Sequence, residues 1–217
     1  MLIPNVFLEA GMRELRENDK KRVYAKIKRA LDIFFSALLL FFLVIPMLLI
    51  WLTVRISSRG EGIFRQLRIG RDGKSFVCYK FRTMYKGAPA NTPSSEFLSV
   101  AKYVTPIGRI LRRTSLDELP QLFNVLRGDM SLVGPRPLIS EEAEVHRLRR
   151  EYGVYSIRPG LTGLSQINGR DSLTDRRKAE LDRAYLEAFG FIQDVKIIGK
   201  TVAGVISGDG IAGGKQK

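Results

Sequence analysis

Cysteine and histidine each occur once in this 217-residue chain, as Cys78 and His146. A single cysteine excludes an internal disulfide and fits a reducing compartment. The pair is also too few for a metal cage built from Cys and His. His146 lies in EEAEVHRLRR, charged throughout, and reads as a surface-helix residue. Acidic residues are scarce as well: 22 Asp and Glu face 36 Lys and Arg, a formal net charge of +14. That imbalance favours a polyanionic partner, whether nucleic acid, an anionic membrane surface or a phosphorylated substrate. No nucleic acid is expected among them. No binding motif appears, and the seven Tyr and twelve Phe are not interleaved on a basic platform.

Charge is missing altogether from one stretch. Ile33 to Val54, IFFSALLLFFLVIPMLLIWLTV, holds 22 residues without a charged side chain. At about 1.5 Å per residue this makes roughly 33 Å of helix, enough to cross a bilayer core. A signal peptide fits poorly, because a long charged leader precedes the run and no small-residue cleavage site follows it. Basic residues flank both ends: Lys20, Lys21, Arg22, Lys26, Lys28 and Arg29 before, and Arg55, Arg59, Arg65, Arg68 and Arg71 after. Positive flanks mark the cytoplasmic side, so the rule places both ends there. Pro46 lies within the run and removes one helical hydrogen bond. A helix that enters the membrane, breaks at Ile45-Pro46 and returns to the same face reconciles these features. An ordinary kinked span is the alternative.

The remaining length suffices for one domain with a core. Residues 12–30 alternate charged and apolar positions at helical spacing, predicting a basic helix on lipid headgroups. Residues 62–84 carry two alternating runs around Arg71-Asp72-Gly73-Lys74, predicting a β-hairpin with an Asp-Gly turn. Residues 86–100 read as a loop. Helices are predicted at 116–127, 140–151 and 174–188. Phe191, Val195, Ile198, Val202 and Val205 define an amphipathic helix, expected to pack on the core, with membrane contact as the alternative. The segment after it is Gly-rich and reads as a flexible tail.

Within this basic chain TSLDELPQ, 114–121, sets Asp117 and Glu118 side by side behind Arg112 and Arg113. Ser115 to Glu118 matches a capping box, with Leu116, Leu119, Phe123 and Leu126 as the buried stripe. Pro120 suits a helix that starts at Asp117. Asp117, Gln121 and Asn124 fall at i, i+4 and i+7, predicting an exposed polar stripe. A helix start behind arginines holds phosphate and keeps Asp117 ionised. An ionised Asp beside a Glu is also a ready magnesium ligand set, completed by a pyrophosphate. Glycosidase carboxylates face each other about 5 Å or more apart across a sugar. Neighbours in one turn diverge, so a carboxylate nucleophile acting on phosphorus fits better. Downstream, Pro135 and Pro137 hold Arg136 extended, either to grip phosphate or as a rigid turn. IRPGLTGLSQINGR, 157–170, packs Pro159, Gly160, Gly163 and Gly169 into tight turns that bring backbone close to a ligand or another segment.

In order, KRALD, YKFRTM, SLDELPQLFNVLRGDMSLVGPRPL, RPGLTGLSQINGR and AELDRAY form a set. From Lys28 to about Ser207 the chain resembles the monotopic polyprenyl-phosphate phosphoglycosyl transferases, bacterial sugar transferases that initiate polysaccharide and glycoconjugate assembly. The resemblance implies a re-entrant helix broken at Pro46 and a catalytic domain on the cytoplasmic face of the bacterial inner membrane. It implies Asp117 as the nucleophile on the β-phosphate of a UDP-sugar, with UMP released and the phosphosugar then passed to a polyprenyl phosphate. Glu118 would assist with Mg2+ or protons. Arg112 would bind phosphate, and Pro135-Arg136-Pro137 would serve the nucleotide end. Lys80, Arg82 and Asp182 match family positions expected to meet substrate.

The expected fold is α+β and mostly helical. Residues 1–27 would form a basic N-terminal extension, 28–57 the re-entrant helix, 58–207 the catalytic domain with its small hairpin and amphipathic interfacial helices, and 208–217 a tail. Membrane lipids are implied partners, and the amphipathic C-terminal helix leaves room for a homodimer. A non-catalytic membrane scaffold and a tethered nucleic-acid module are the alternative functions. No motif selects among galactose, glucose and an amino sugar.

Overall fold

The computed structural model describes residues 5–89 and 101–207, with backbone alone along 5–18 and at 171. The expected tail at 208–217 and most of the expected loop at 86–100 lie outside these residues. The fold is mostly helical, with two small sheets. Helix α1 runs Asn5–Ser57, taking in the basic stretch and the apolar stretch without interruption. Pro46 lies inside it, so the expected break does not divide the helix into two elements. In the segment 19–57 the most apolar 18-residue window has a mean hydropathy of 2.9 and is only 11% buried. Phe34, Phe41, Phe42, Val44, Ile45 and Leu48 are all exposed.

The first half of the described side chains of α1 buries polar groups. Lys28, Asp32 and Ser36 recur every four residues and are enclosed. Lys28 Nζ donates to Asp194 at 2.5 Å, and Tyr24 Oη donates to the same carboxylate oxygen at 2.7 Å. Leu132 N donates to Asp32 at 3.0 Å. Arg29 donates to the carbonyls of Val125 and Leu126 at 2.6 and 2.8 Å. At the other end Met47 and Val54 pack against Phe81 and Leu111.

Strands β1 (Ile63–Ile69) and β2 (Ser75–Phe81) form the predicted antiparallel hairpin, in register from Ile63 opposite Phe81 to Ile69 opposite Ser75. Asp72 and Gly73 both have positive φ, 56° and 71°, as a mirror-image hairpin turn requires. Helix α2 (Pro106–Arg113) starts where Thr105 Oγ1 accepts from Gly108 N at 2.9 Å, with proline in the first turn. Gly108 lies against the Thr83 backbone, where a Cβ would come within 2.0 Å of the Thr83 carbonyl oxygen.

The helix predicted at 116–127 divides in two. Residues Leu116–Glu118 form a 3₁₀ turn, and α3 is Gln121–Arg127, entered at Pro120. Ser115 makes no capping hydrogen bond; its φ of 54° turns the chain between α2 and the 3₁₀ turn. The predicted faces hold only in part: Asp117, Gln121 and Asn124 are buried, and of the expected stripe Leu116 and Phe123 are exposed while Leu119 packs on the core and Leu126 is half-buried. Asn124 explains this. Its Oδ1 accepts from Tyr79 N at 3.1 Å and its Nδ2 donates to Val77 O at 2.7 Å, completing the free edge of β2 as another strand would.

Short strands β3 (Ser131–Val133) and β4 (Gly160–Thr162) pair in parallel, Ser131 with Gly160 and Val133 with Thr162. Helices α4 (Ala143–Glu151) and α5 (Asp175–Glu187) pack together through Val145, Leu148 and Ala179. His146 is 5% exposed, not a surface residue: Nε2 is bonded to the Ile139 carbonyl at 2.7 Å and Nδ1 to Tyr155 Oη. In α6 (Phe191–Ser207) the apolar stripe expected in the core faces out instead, and Asp194 and Ile197 are buried.

Candidate active site

Three segments bring charge to Glu118. Lys80, near the end of β2, donates to Oε1 at 2.8 Å. Arg136, between Pro135 and Pro137 after β3, stands 3.6 Å from the same oxygen. Arg170, at the end of the Gly-rich segment that follows β4, stands 3.5 Å from Oε2. It also donates to Ser115 Oγ at 3.4 Å. The Gly-rich segment reaches this position because Gly134, Gly160 and Gly163 let backbones touch. A Cβ on Gly160 would come within 2.0 Å of Gly134 N, and one on Gly163 equally close to Gly134 O.

Asp117 shares the same 3₁₀ turn and meets a different environment. It is 7% exposed, and no hydrogen-bond donor among the described residues takes its carboxylate. Burial, aided by the Glu118 charge, raises its pKa to about 6, with Lys80, Arg112 and Arg170 pulling the other way. For Glu118 burial acts in the same direction, but Lys80, Arg136 and Arg170 together outweigh it and hold the group well below the usual carboxylate range. The turn therefore carries one fixed anion and one carboxylate poised between its two states.

Arg112, on the last turn of α2, donates from Nε to Thr83 Oγ1 at 2.8 Å and contributes positive charge at Asp117. A pocket opens beside the dyad, lined among others by Arg68, Cys78, Lys80, Gln121, Arg136 and Gln166. Gln166 Oε1 is buried in this wall without a hydrogen bond. Among the described residues no group of three or more His, Cys, Asp or Glu side chains is placed to hold a metal.

Of the positions expected to meet substrate, the structure gathers Lys80, Arg112 and Arg136 around the dyad, with Pro135 and Pro137 flanking the arginine. Arg82 and Asp182 lie elsewhere. Arg82 directs Nη2 at the carbonyls of Val54 and Ser58, 3.2 and 2.7 Å away, and Nη1 at that of Arg59, 3.1 Å away. It closes the C-terminal end of α1, where helical carbonyls lack partners. Asp182 is wholly enclosed and paired with Arg149. Arg170, Arg149, Arg68 and Gln166 join the site or its support without having been singled out in the sequence. Arg170 alone left a signal, ending a Gly-rich run, where a positive φ of 49° turns its backbone.

The chain as a whole matches known proteins across most of its length. The family model described as bacterial sugar transferase covers residues 23–208. The chain is similar to the undecaprenyl-phosphate galactose phosphotransferase of Salmonella typhimurium, 37% identical over 93% of this chain and 45% of that protein. It is similar to the UDP-glucose:undecaprenyl-phosphate glucose-1-phosphate transferase of Caulobacter vibrioides, 39% identical over 84% of this chain and 70% of the relative. The exopolysaccharide production protein ExoY of Sinorhizobium fredii is 37% identical over 82% of this chain and 84% of its own. The chain thus spans less than half of the first relative and most of the other two. The motifs, the cation-ringed dyad and these matches agree: the chain belongs to the bacterial sugar transferase family, the polyprenyl-phosphate phosphoglycosyl transferases.

Proposed function

We propose that this protein transfers a phosphosugar from a UDP-sugar to undecaprenyl phosphate through an aspartyl intermediate, the first membrane step of glycan assembly. The observation that carries the mechanism is Asp117, a buried carboxylate with no hydrogen-bond donor among the described residues, faced by Lys80, Arg112 and Arg170. Its oxygen attacks the β-phosphorus. The bond from that phosphorus to the bridging oxygen breaks, and UMP leaves with the electron pair. An oxygen of the lipid phosphate then attacks the same phosphorus and returns Asp117 as a carboxylate. Lys80, Arg112, Arg136 and Arg170 stabilise the phosphoryl charge in both steps without rearranging. Glu118, already holding three cations, keeps them in place.

Asp117 and Glu118 are the residues that would hold a magnesium ion. Bound there, it would neutralise phosphate charge. Asp117 has no protein donor to displace, whereas Glu118 would give up part of its hold on Lys80.

The lipid substrate requires the active site at a membrane surface. Both flanks of the apolar run dock on one globular body: Arg29 and Asp32 on residues 125–132, and Val54 and Ser58 on Arg82. This supports a re-entrant α1 with both ends on the cytoplasmic face, and a bend at Pro46 achieves that within one helix. The outward stripe of α6 suits the same interface. In the direct test of the chemistry, UDP-sugar without lipid leaves a phosphosugar adduct on Asp117 by mass spectrometry. Asp117→Asn forms no adduct and loses turnover; full turnover by that variant would defeat the covalent route.

A further inference from the structure

Asp182 and Arg149 are enclosed and do not line the pocket beside the dyad, yet they connect to both arginine-bearing segments. Asp182 Oδ2 accepts from Nε and Nη2 of Arg149 at 2.9 and 2.5 Å, and its Oδ1 accepts from Ser165 Oγ at 3.2 Å. The remaining arm of Arg149, Nη1, donates to the backbone carbonyl of Arg136 at 2.9 Å. The backbone carbonyl of Ser165 accepts the backbone N–H of Arg170 at 3.0 Å. The two residues gripping Glu118 from the PRP turn and from the Gly-rich segment are therefore anchored to one ion pair, itself almost fully buried at 2% and 1% side-chain exposure.

We propose that Arg149 and Asp182 are positioning residues: together they fix the backbones that deliver Arg136 and Arg170 to Glu118, and so set the grip on the substrate's pyrophosphate. A buried ion pair contributes little stability that well-packed apolar residues of similar volume would not match. What apolar residues lack is direction. The guanidinium fork binds a carboxylate with two N–H groups and keeps a third for a carbonyl, a geometry that lysine's single ammonium does not reproduce. The assignment rests on the phosphosugar-transfer reading of the site, and it replaces substrate contact as the role of Asp182.

The test uses the full chain in lipid nanodiscs, with two readouts: steady-state constants for the UDP-sugar and the affinity for inorganic pyrophosphate. Arg149→Lys retains the charge and loses the fork. The exchange Arg149→Asp with Asp182→Arg retains a neutral buried pair and reverses the polarity offered to Arg136 O and Ser165 Oγ. Both variants are expected to raise KM and weaken pyrophosphate binding by about tenfold or more, the scale at which small misplacements act. Leu148→Ala, in the neighbouring core, is the control: it lowers Tm and leaves both readouts of the folded protein unchanged. Wild-type constants in a folded Arg149→Lys or exchanged protein would overturn the proposal, as would losses that follow Tm alone. If neither variant folds, Ser165→Ala decides, since it removes one hydrogen bond; a KM and pyrophosphate affinity equal to wild type would then sink the idea. Pyrophosphate binding separates the two hypotheses. A wild-type protein that binds it without turning over any UDP-sugar defeats the transferase reading alone, and one that does not bind it defeats the positioning role.

Discussion

Burial pushes on Asp117 and Glu118 in the same direction, and the difference between them comes from where the cations sit. Glu118 is within 3.6 Å of Lys80, Arg136 and Arg170, whereas Asp117 feels its positive neighbours without a bond to any of them. A nucleophile needs its lone pairs free, and a carboxylate that is already hydrogen-bonded has lost part of that freedom. The raised pKa of Asp117 then has a kinetic signature. In the proposed mechanism only the ionised form attacks, so kcat/KM should rise with pH through about 6 and level off above it. Each unit below that point removes roughly a tenfold share of the ionised form. Lys80 holds the Asp117 pKa down, so Lys80→Met should move the acid limb to higher pH as well as lower the plateau. A pH–rate profile of both proteins checks this; an acid limb that stays in place in the variant would contradict the assignment.

At the scale of elements, periodicity found the helices and misread the buried side of two of them, α3 and α6. In α1, α3 and α6 polar side chains turn inward beside apolar ones while large apolar side chains face out: Lys28, Asp32 and Ser36 inside with Met47 and Val54, Asn124 inside with Leu122 and Val125 and Phe123 out, Asp194 inside with Ile197 and Phe191 and Val195 out. A period of 3.6 reports that two faces differ, and the assignment of the apolar one to a core assumes water outside. The hairpin was legible because Asp72-Gly73 states its own backbone requirement. The acidic pair stood out in the sequence, but its secondary structure was not legible, since SLDE matches a capping box that the left-handed Ser115 does not form. Arg149 and Asp182, 33 positions apart, left no local pattern because only the packing of α4 on α5 joins them. Asn124 shows how strongly one inward polar residue ties two elements. Replacing it by Leu should orphan Tyr79 N and Val77 O, at a cost of about 1–3 kcal/mol for each group left buried. A thermal melt should show Asn124→Leu several degrees below wild type, with the neighbouring exposed Phe123→Ser close to it. Equal melts for the Asn124 variant and wild type would mean that water readily replaces the side chain.

For the whole molecule, the faces that seemed inverted belong to one design, a polar body carrying its apolar surface outward. The run Ile33–Val54 is about 33 Å of helix if straight, slightly more than the hydrocarbon core of a bilayer. A span would put Arg29 and Ser58 on opposite sides of that core. Yet Arg29 holds the end of α3 and Ser58 receives Arg82, which directly follows β2, while Asn124 joins α3 to β2. One folded body cannot straddle 30 Å of lipid with its hydrogen bonds intact, because unpaired backbone and charged groups are not tolerated there. The proposed bend at Pro46 would leave both contacts in place and put every basic flank on the same side. The prediction is concrete. In a Cys78→Ala background, single cysteines at Lys26 and Arg59, both exposed, should react with a membrane-impermeant maleimide in inverted membrane vesicles and in neither case in intact spheroplasts. Pro46→Leu should straighten α1 and strain one of the two docking contacts, lowering Tm while the reactive face stays the same. Reaction of either wild-type-topology cysteine from outside would establish a span, and the docking of both flanks on one body would then have to be abandoned.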